Sequence, residues 1–181
     1  MLNWQAATLA DAAEIAQLHA ANWQRTYAGQ LAADFLAEPV LAERAAVWQQ
    51  RLAAPSPGQQ VWLVRAGATL VGFYCLYPAH HPQWGHYLDN LHVATGWQGQ
   101  GVGRQLLQHA AAQVALLGYD PQGLYLYCNQ ANTPALAFYL RLGASQQEAA
   151  SWAAPDGQTI ATWRVSWPAG GLDDFTKGAR T

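Results

Sequence analysis

Residues 91–107 read "LHVATGWQGQGVGRQLL", and the order of residue types in them decides the fold. An apolar, β-branched segment ending at Val93 passes through a cluster of glycines into a helical pattern, with no proline between the two. A glycine turn between strand and helix presents successive backbone N–H groups at the positive end of the helix dipole, which suits an anion such as a phosphate. Arg104 strengthens this reading, because the dipole opposes a cation in the first turn unless an anion sits there. The plainer alternatives are glycines that merely permit positive φ and an arginine that is simply solvated.

Two nucleotide-binding turns can be tested against these residues. A P-loop needs Gly-Lys followed by Ser or Thr, with the lysine on the outer phosphates, but Gly103 is followed by Arg104 and Gln105. A dinucleotide-binding turn reads Gly-x-Gly-x-x-Gly and wants an acid at the end of the next strand. Here Gly99, Gly101 and Gly103 are spaced by two, the next strand ends in Cys128-Asn129, and Asp120 falls before that strand.

Working outward, a strand at about Asn3 to Ala7 leads to a helix with Thr8 as capping candidate. Ile15, Leu18 and Trp23 lie at helical spacing in it, and Gly29 ends it. "AADFLAEPVLAERAAVWQQRLAA" is interrupted at Pro39 and predicts two short helices. "QVWLVRAGATLVGFYCLYP" predicts a hairpin turning at Ala66-Gly67-Ala68, followed by a loop rich in His and Pro, "AHHPQWG". The strand "HYLDNLHVA" precedes the glycines, and Val102, Leu106, Ala110, Val114 and Leu117 mark one face of the helix after them, which Gly118 stops. "GLYLYCN" is a strand, "NTPALAFYLRLG" a helix with Pro134 in its first turn, and "SQQEAASWAAPDGQTIATWRVSW" a hairpin about Pro155-Asp156-Gly157. The order βααβββαβαββ predicts a mixed α+β fold in one domain over 1–167, with a loose Gly-rich tail over 168–181.

The 181 residues suffice for one core, and 51% hydrophobic against 11% charged residues describe a globular chain. A net charge of -2 with Lys177 as the only lysine gives no electrostatic basis for binding nucleic acid. Cys75 and Cys128 fall in apolar, strand-like runs, so buried thiols in a reducing compartment are expected rather than a disulfide. With no signal-peptide pattern and no run long enough to span a bilayer, the expectation is a cytoplasmic protein without a membrane. Of nine tryptophans, Trp4, Trp62, Trp163 and Trp167 read as core or interface residues, and Trp152, Trp163 and Trp167 could form a homodimer face. His80, His81 and His86 lack a Cys or carboxylate at ligand spacing, so no metal is expected.

The sequence resembles the GCN5-related N-acetyltransferases (GNAT). Their acetyl-coenzyme A motif is a strand ending in Val, then Gln or Arg, two residues, Gly, one residue, and Gly or Ala. Val93, Gln98, Gly101 and Gly103 stand at those places, with Thr95 where a Pro is frequent. A second signature, "CNQANTPALAFYLRLGA", matches the family pattern at Asn132, Ala135, Phe138-Tyr139 and Gly143, with Ala144 in place of a bulky residue. The resemblance covers roughly residues 1–167 and implies a twisted, mixed but largely antiparallel sheet of six to seven strands with about four helices.

It also implies a chemistry. The backbone of Leu91, His92 and Val93 would hold the acetyl and pantetheine end, with the Val93 N–H facing the thioester oxygen. The amides of Gln98, Gly99, Gln100, Gly101, Val102, Gly103 and Arg104 would cradle the pyrophosphate, and Asn132 and Tyr139 would complete the cofactor site. Tyr139 would be the general acid, since a phenol near ~10 can pass a proton to a thiolate near ~8.5. For the base, relatives that acetylate ribosomal-protein N-termini carry a Glu where this chain has Tyr127. The candidates left are Asp89 first and His92 second, or each simply orders the strand. Alternation sets Asp89 with Leu91 and Val93 on one face and His92 with Asn90 on the other, unless the family's β-bulge resets the parity. His19, Trp23 and Tyr27, with the bend at Phe35 to Pro39, would line an aromatic, weakly charged acceptor pocket. The implied activity is acetyl transfer from acetyl-coenzyme A to a primary amine of a small molecule or peptide, directly in a ternary complex. A non-catalytic acyl-coenzyme A sensor is the alternative.

Overall fold

The computed structural model describes residues 1–117, 123–169 and 171. The chain divides into two compact units: Met1–Cys75 with Asn90–Leu106, and Leu76–Asp89 with Leu107–Thr181. In chain order the elements are β1 (Leu2–Ala6), α1 (Ala12–Thr26), α2 (Ala33–Ala37), α3 (Pro39–Ala53), β2 (Gln60–Ala66), β3 (Thr69–His81) and β4 (Gly85–Val93). There follow α4 (Val102–Leu116), β5 (Leu124–Asn129), α5 (Thr133–Arg141), β6 (Ser145–Ala153) and β7 (Thr159–Trp167). The strands pair in the order β1-β2-β3-β4-β5-β7-β6. β4 and β5 run parallel, while β1–β2, β5–β7 and β6–β7 run antiparallel. This is the mixed, largely antiparallel sheet that the family resemblance implies.

In the first unit, α1 turns Ile15, Ala16, His19, Ala20, Asn22 and Trp23 inward, and α3 buries Val40, Arg44 and Trp48, each four residues after the last. Arg65 on β2 ties the sheet to the start of α1 by donating to Asp11 (3.0 Å) and Glu14 (2.6 Å). The Asp11 carboxylate also accepts from the Thr8 N–H and hydroxyl, both at 2.8 Å. Pro39 does not shorten the second helix: it sits in the first turn of α3, where its missing N–H costs nothing, and α3 runs for 15 residues.

In the second unit, the segment expected as a His/Pro loop is mostly strand, since β3 extends to His81. It bends at Ala79, whose φ of 49° lies in the left-handed region. The Ala79 N–H donates to His86 Nδ1 (3.0 Å), and His81 Nδ1 accepts from the backbone of Gln83 and Trp84 (3.2 and 3.3 Å). His80 meets the Tyr125 hydroxyl at 2.6 Å. These histidines brace a hairpin. Trp167 is buried, its Nε1–H donating to Leu142 O (2.9 Å), so it is a core residue and not part of a surface for a second copy.

On α4, Val102, Leu106, Ala110 and Val114 are buried as the periodicity predicts. Leu117, just past the helix end at Leu116, is 42% exposed although the apolar spacing includes it. Gly118 and the tail beyond Pro168, apart from Ala169 and Gly171, lie outside the described residues. Among the described residues no helix is long and apolar enough to cross a membrane.

Candidate active site

The glycine turn has the conformation its sequence demands. Gly99 and Gly101 hold φ of 74° and 83°, with nothing within 4 Å of where a Cβ would stand, so conformation rather than crowding requires glycine there. Helix α4 starts at Val102, and Gln105 N–H donates to Gly101 O (3.1 Å). The amides of Val102, Gly103 and Arg104 precede that bond, at the end of the helix whose N–H groups have no partner along the helix. Two glutamines brace the turn from within: Gln98 donates to Val93 O (3.1 Å) and Gln100 to Gly96 O (2.7 Å). Residues 94–106 contain no Asp or Glu, so this donor set meets no carboxylate of its own.

At the end of β4 a second network reaches back to the helices of the same unit. Asn22 on α1 donates through Nδ2 to His92 Nδ1 (3.3 Å) and to Val93 O (3.2 Å), while Arg25 donates to Asn22 Oδ1. Arg51 on α3 donates to Asn90 Oδ1 (3.0 Å). Asn90 and His92, two residues apart, therefore both meet these helices, as alternation requires. The His92 ring lies 4.3 Å from that of His19 and 5.1 Å from that of Phe73. Gly72 permits this approach, since a Cβ there would stand 2.9 Å from His92 O and 3.0 Å from Leu106 Cδ1.

His19 is fully buried and takes a hydrogen bond from Trp48 Nε1 on its Nδ1 (3.0 Å). Burial, and then the nearby His92, Arg44 and Arg51, hold its imidazole well below the ordinary range, so it is neutral. The α1 residues expected to line an open acceptor pocket are thus partly core: Trp23 is buried under the Arg44 guanidinium (4.1 Å), and Arg51 lies over Trp48 (5.3 Å). The surroundings carry more charge than the aromatic residues alone suggested.

In the second unit, the Tyr87 hydroxyl donates to Asp89 Oδ1 (3.0 Å). Burial, then the Asp89 charge, raise the Tyr87 pKa far above the ordinary phenol value, so this hydroxyl stays a donor. Tyr87 stacks on Tyr125, and Tyr127 meets both rings edge-on. The β4–β5 ladder pairs His86 with Leu124 and Tyr87 with Tyr125, and among the described residues of this unit it does not continue to Leu88 and Leu126. Asn132 caps α5, its Oδ1 accepting from Ala135 N–H (3.2 Å). Tyr139, seven residues on, is 9% exposed and packs edge-on to Trp167. Cys128 is buried, and that burial pushes its thiol up to about 11.

Within the first unit the structure groups Leu91, His92, Val93 and Gln98 to Arg104 on one continuous strand, turn and helix start. Asp89, Asn132 and Tyr139 belong to the second. Sequence reasoning missed Asn22, Arg25, Arg51 and Tyr87. For Asn22 there was a signal: it lies three residues after His19 and seven after Ile15, on the buried stripe of α1.

The model of the acetyltransferase (GNAT) family matches residues 15–144. The chain belongs to this family. As a GNAT protein it is an acyltransferase with acetyl-coenzyme A as co-substrate. No curated protein sequence matches it.

Solved GNAT structures share the fold at low identity. The PaiA N-acetyltransferase of Thermoplasma acidophilum in complex with coenzyme A is 16% identical, with 90% of this chain and 98% of that one covered and a TM-score of 0.69. A GCN5-related N-acetyltransferase of Rhodopseudomonas palustris is 18% identical over 92% and 94%, with a TM-score of 0.72. YncA of Salmonella typhimurium, a putative acetyltransferase with acetyl-coenzyme A, is 15% identical over 93% and 94%, with a TM-score of 0.65.

Proposed function

We propose that this GNAT chain moves an acetyl group from acetyl-coenzyme A to the primary amine of a small molecule or peptide, by direct attack in a ternary complex. The observation that carries direct transfer concerns its thiols. The chain has two cysteines, both are buried, and the Cys128 thiol is pushed up to about 11, so neither supplies a nucleophile for an acetyl-enzyme. Residues 1–167 act as one catalytic domain, in a cytoplasm that keeps both thiols reduced.

Acetyl-coenzyme A supplies an activated acetyl thioester and an anionic pyrophosphate. The glycine turn fits the pyrophosphate: its donors are backbone amides from Gln98 to Arg104, held open by two left-handed glycines and free of local carboxylates. Leu91, His92 and Val93 offer backbone to the pantetheine arm, with the Val93 N–H as the donor for charge developing on the carbonyl oxygen. Asn132 binds through its amide nitrogen, its oxygen being engaged in the helix cap. Asp89, oriented by the Tyr87 hydroxyl, takes the proton of the incoming ammonium, and Tyr139 returns one to the departing thiolate. Arg25 and Arg51 around α1 and α3 disfavour polycationic acceptors, while buried Arg44 is paired with the Glu43 carboxylate.

Initial rates with acetyl-coenzyme A and each member of an amine and peptide panel test this reading. A ternary complex gives intersecting double-reciprocal lines that survive Cys128→Ala, whereas parallel lines abolished by that substitution overturn direct transfer. Tyr139→Phe lowers kcat about 100-fold on a proven acceptor. Tight coenzyme A binding with no turnover on any acceptor would favour a sensing module instead.

A further inference from the structure

We propose that Asn129 and Thr162 form a buried subsite in which the Asn129 amide nitrogen and the Thr162 hydroxyl together hold an amide carbonyl oxygen. The acceptor is then an amine that also carries an amide, as a peptide or an amino-acid amide does. The use of the subsite rests on the acyl-transfer reading above, but the binding of an amide oxygen there does not.

The two side chains stand opposite each other on β5 and β7, where Asn129 pairs with Thr162. Directly opposed residues of an antiparallel pair share a face, with Cβ atoms about 5 Å apart. Both residues are buried, at 6% and 5% exposure. Asn129 Oδ1 accepts from the Ala131 N–H (3.0 Å), and a backbone N–H can only donate, so the other end of the side-chain amide is the nitrogen. The same bond holds the amide in its rotation. Among the described residues neither Asn129 Nδ2 nor Thr162 Oγ1 has a hydrogen-bond partner, although solvent reaches neither atom. Leaving a buried donor unpaired costs more than a typical hydrogen bond contributes, so two of them side by side call for a third group that both can reach.

The chemistry of the pair selects that group. The Asn129 nitrogen only donates, and the Thr162 hydroxyl can turn its proton toward the same point, so an oxygen that accepts twice suits both. Arg164, two residues along β7 on this face, is already paired with Glu148 (3.3 Å) and lies over the Trp84 ring (3.7 Å). A buried carboxylate would find that cation engaged, whereas a neutral amide carbonyl matches two neutral donors.

The pair shares a face with the proposed base. Alternation sets Asn129 with Tyr125 and Tyr127 on β5, and both tyrosines meet the ring of Tyr87, whose hydroxyl donates to Asp89 (3.0 Å). Tyr127 is 41% exposed, so this face opens to solvent two residues, about 7 Å, from Asn129. An acceptor lying along β5 can present its amine toward Asp89 and its amide toward the pair.

Acetyl transfer at saturating acetyl-coenzyme A tests this on matched triplets built on the alanine, leucine and phenylalanine skeletons. Each triplet holds the amino-acid amide, the free amino acid and the amine lacking the carboxyl carbon. In at least one triplet the amide is expected to exceed the amine about 100-fold in kcat/KM. Thr162→Val keeps the shape and removes the hydroxyl. It is expected to lower that ratio about 10-fold, mainly through KM, without lowering the urea midpoint, since the hydroxyl has no bond within the fold to lose. A preference for the free amino acid, or equal rates for amide and amine in every triplet, overturns the proposal. So does an unchanged ratio with a lower midpoint in Thr162→Val, which would assign the pair to a structural water only.

A second arm needs no turnover. The Asn129 side-chain amide of the native chain with coenzyme A is followed by nitrogen–proton NMR as each amide or amine is added. A saturable shift with an amide and not with its amine is expected. That shift without turnover on any acceptor sustains the subsite and counts against acyl transfer. Turnover with neither the shift nor the preference overturns the subsite and leaves acyl transfer standing.

Discussion

The side-chain amides of Asn22 and Gln98 donate to one oxygen, the Val93 carbonyl, at 3.2 and 3.1 Å. One reaches it from helix α1 and the other from the turn five residues on, and together they occupy both acceptor positions of that oxygen. The end of β4 is thereby tied to the glycine turn through Gln98. Gln98→Ala removes this tie and should cost about 1 kcal/mol in urea unfolding. The KM for acetyl-coenzyme A should rise about fivefold with a smaller change in kcat, as steady-state kinetics would show. An unchanged KM would separate this brace from cofactor binding.

Two glycines should respond differently to alanine. Gly101→Ala meets no atom, and its cost is the left-handed backbone alone, about 1–2 kcal/mol. Relaxation of the turn would relieve that strain, so the loss should appear mainly as weaker coenzyme A binding by calorimetry. Gly72→Ala pushes a methyl against the His92 carbonyl, which cannot swing aside as a side chain could. It should destabilise the fold by about 1–3 kcal/mol and lower kcat.

Buried neutral His19 makes stability fall in acid. Its folded pKa lies well below the unfolded value of ~6.5, so between the two the unfolded chain binds the extra proton. Stability is fully present above about pH 6.5 and declines as pH falls below it, by up to about 1.4 kcal/mol per pH unit for this group. His19→Asn, which can still accept from Trp48 Nε1, should flatten the dependence, leaving the smaller contributions of His86 and His109, whose pKa values burial also lowers. Urea midpoints at half-unit steps from pH 5 to pH 7.5 would measure this. An equally steep slope in the variant would assign the effect elsewhere.

Native Cys128 should resist alkylation. With its thiol near 11, only about one molecule in three thousand carries the thiolate at pH 7.5. Iodoacetamide followed by mass spectrometry should find both cysteines unmodified in the folded chain and modified in urea. Rapid labelling of the native protein at Cys128 would reopen a covalent route.

The parts of this protein that were legible in its sequence are those in which a residue acts on its own backbone. Gly101 needed positive φ, and Val102 to Val114 marked a buried face, each within a few residues. What could not be read was set by partners distant in the chain. Asn22 finds His92 seventy residues on, Trp48 finds His19 from another helix, and which amide end faces which atom depends on Arg25 and Val93. Periodicity assigns Asn22 to a buried face without saying what it meets. Leu117 went astray because apolar spacing does not mark where burial ends: its N–H still donates to Gln113 O (3.2 Å), yet its side chain is exposed. Ala79 did so because a left-handed alanine leaves no compositional mark.

The two compact units are interleaved along the chain. Their boundaries fall between Cys75 and Leu76 inside β3, between Asp89 and Asn90 inside β4, and between Leu106 and Leu107 inside α4. A gene rearrangement that carried one unit into another protein would need three breakpoints, each through a hydrogen-bonded element. A single crossover therefore cannot carry either unit whole.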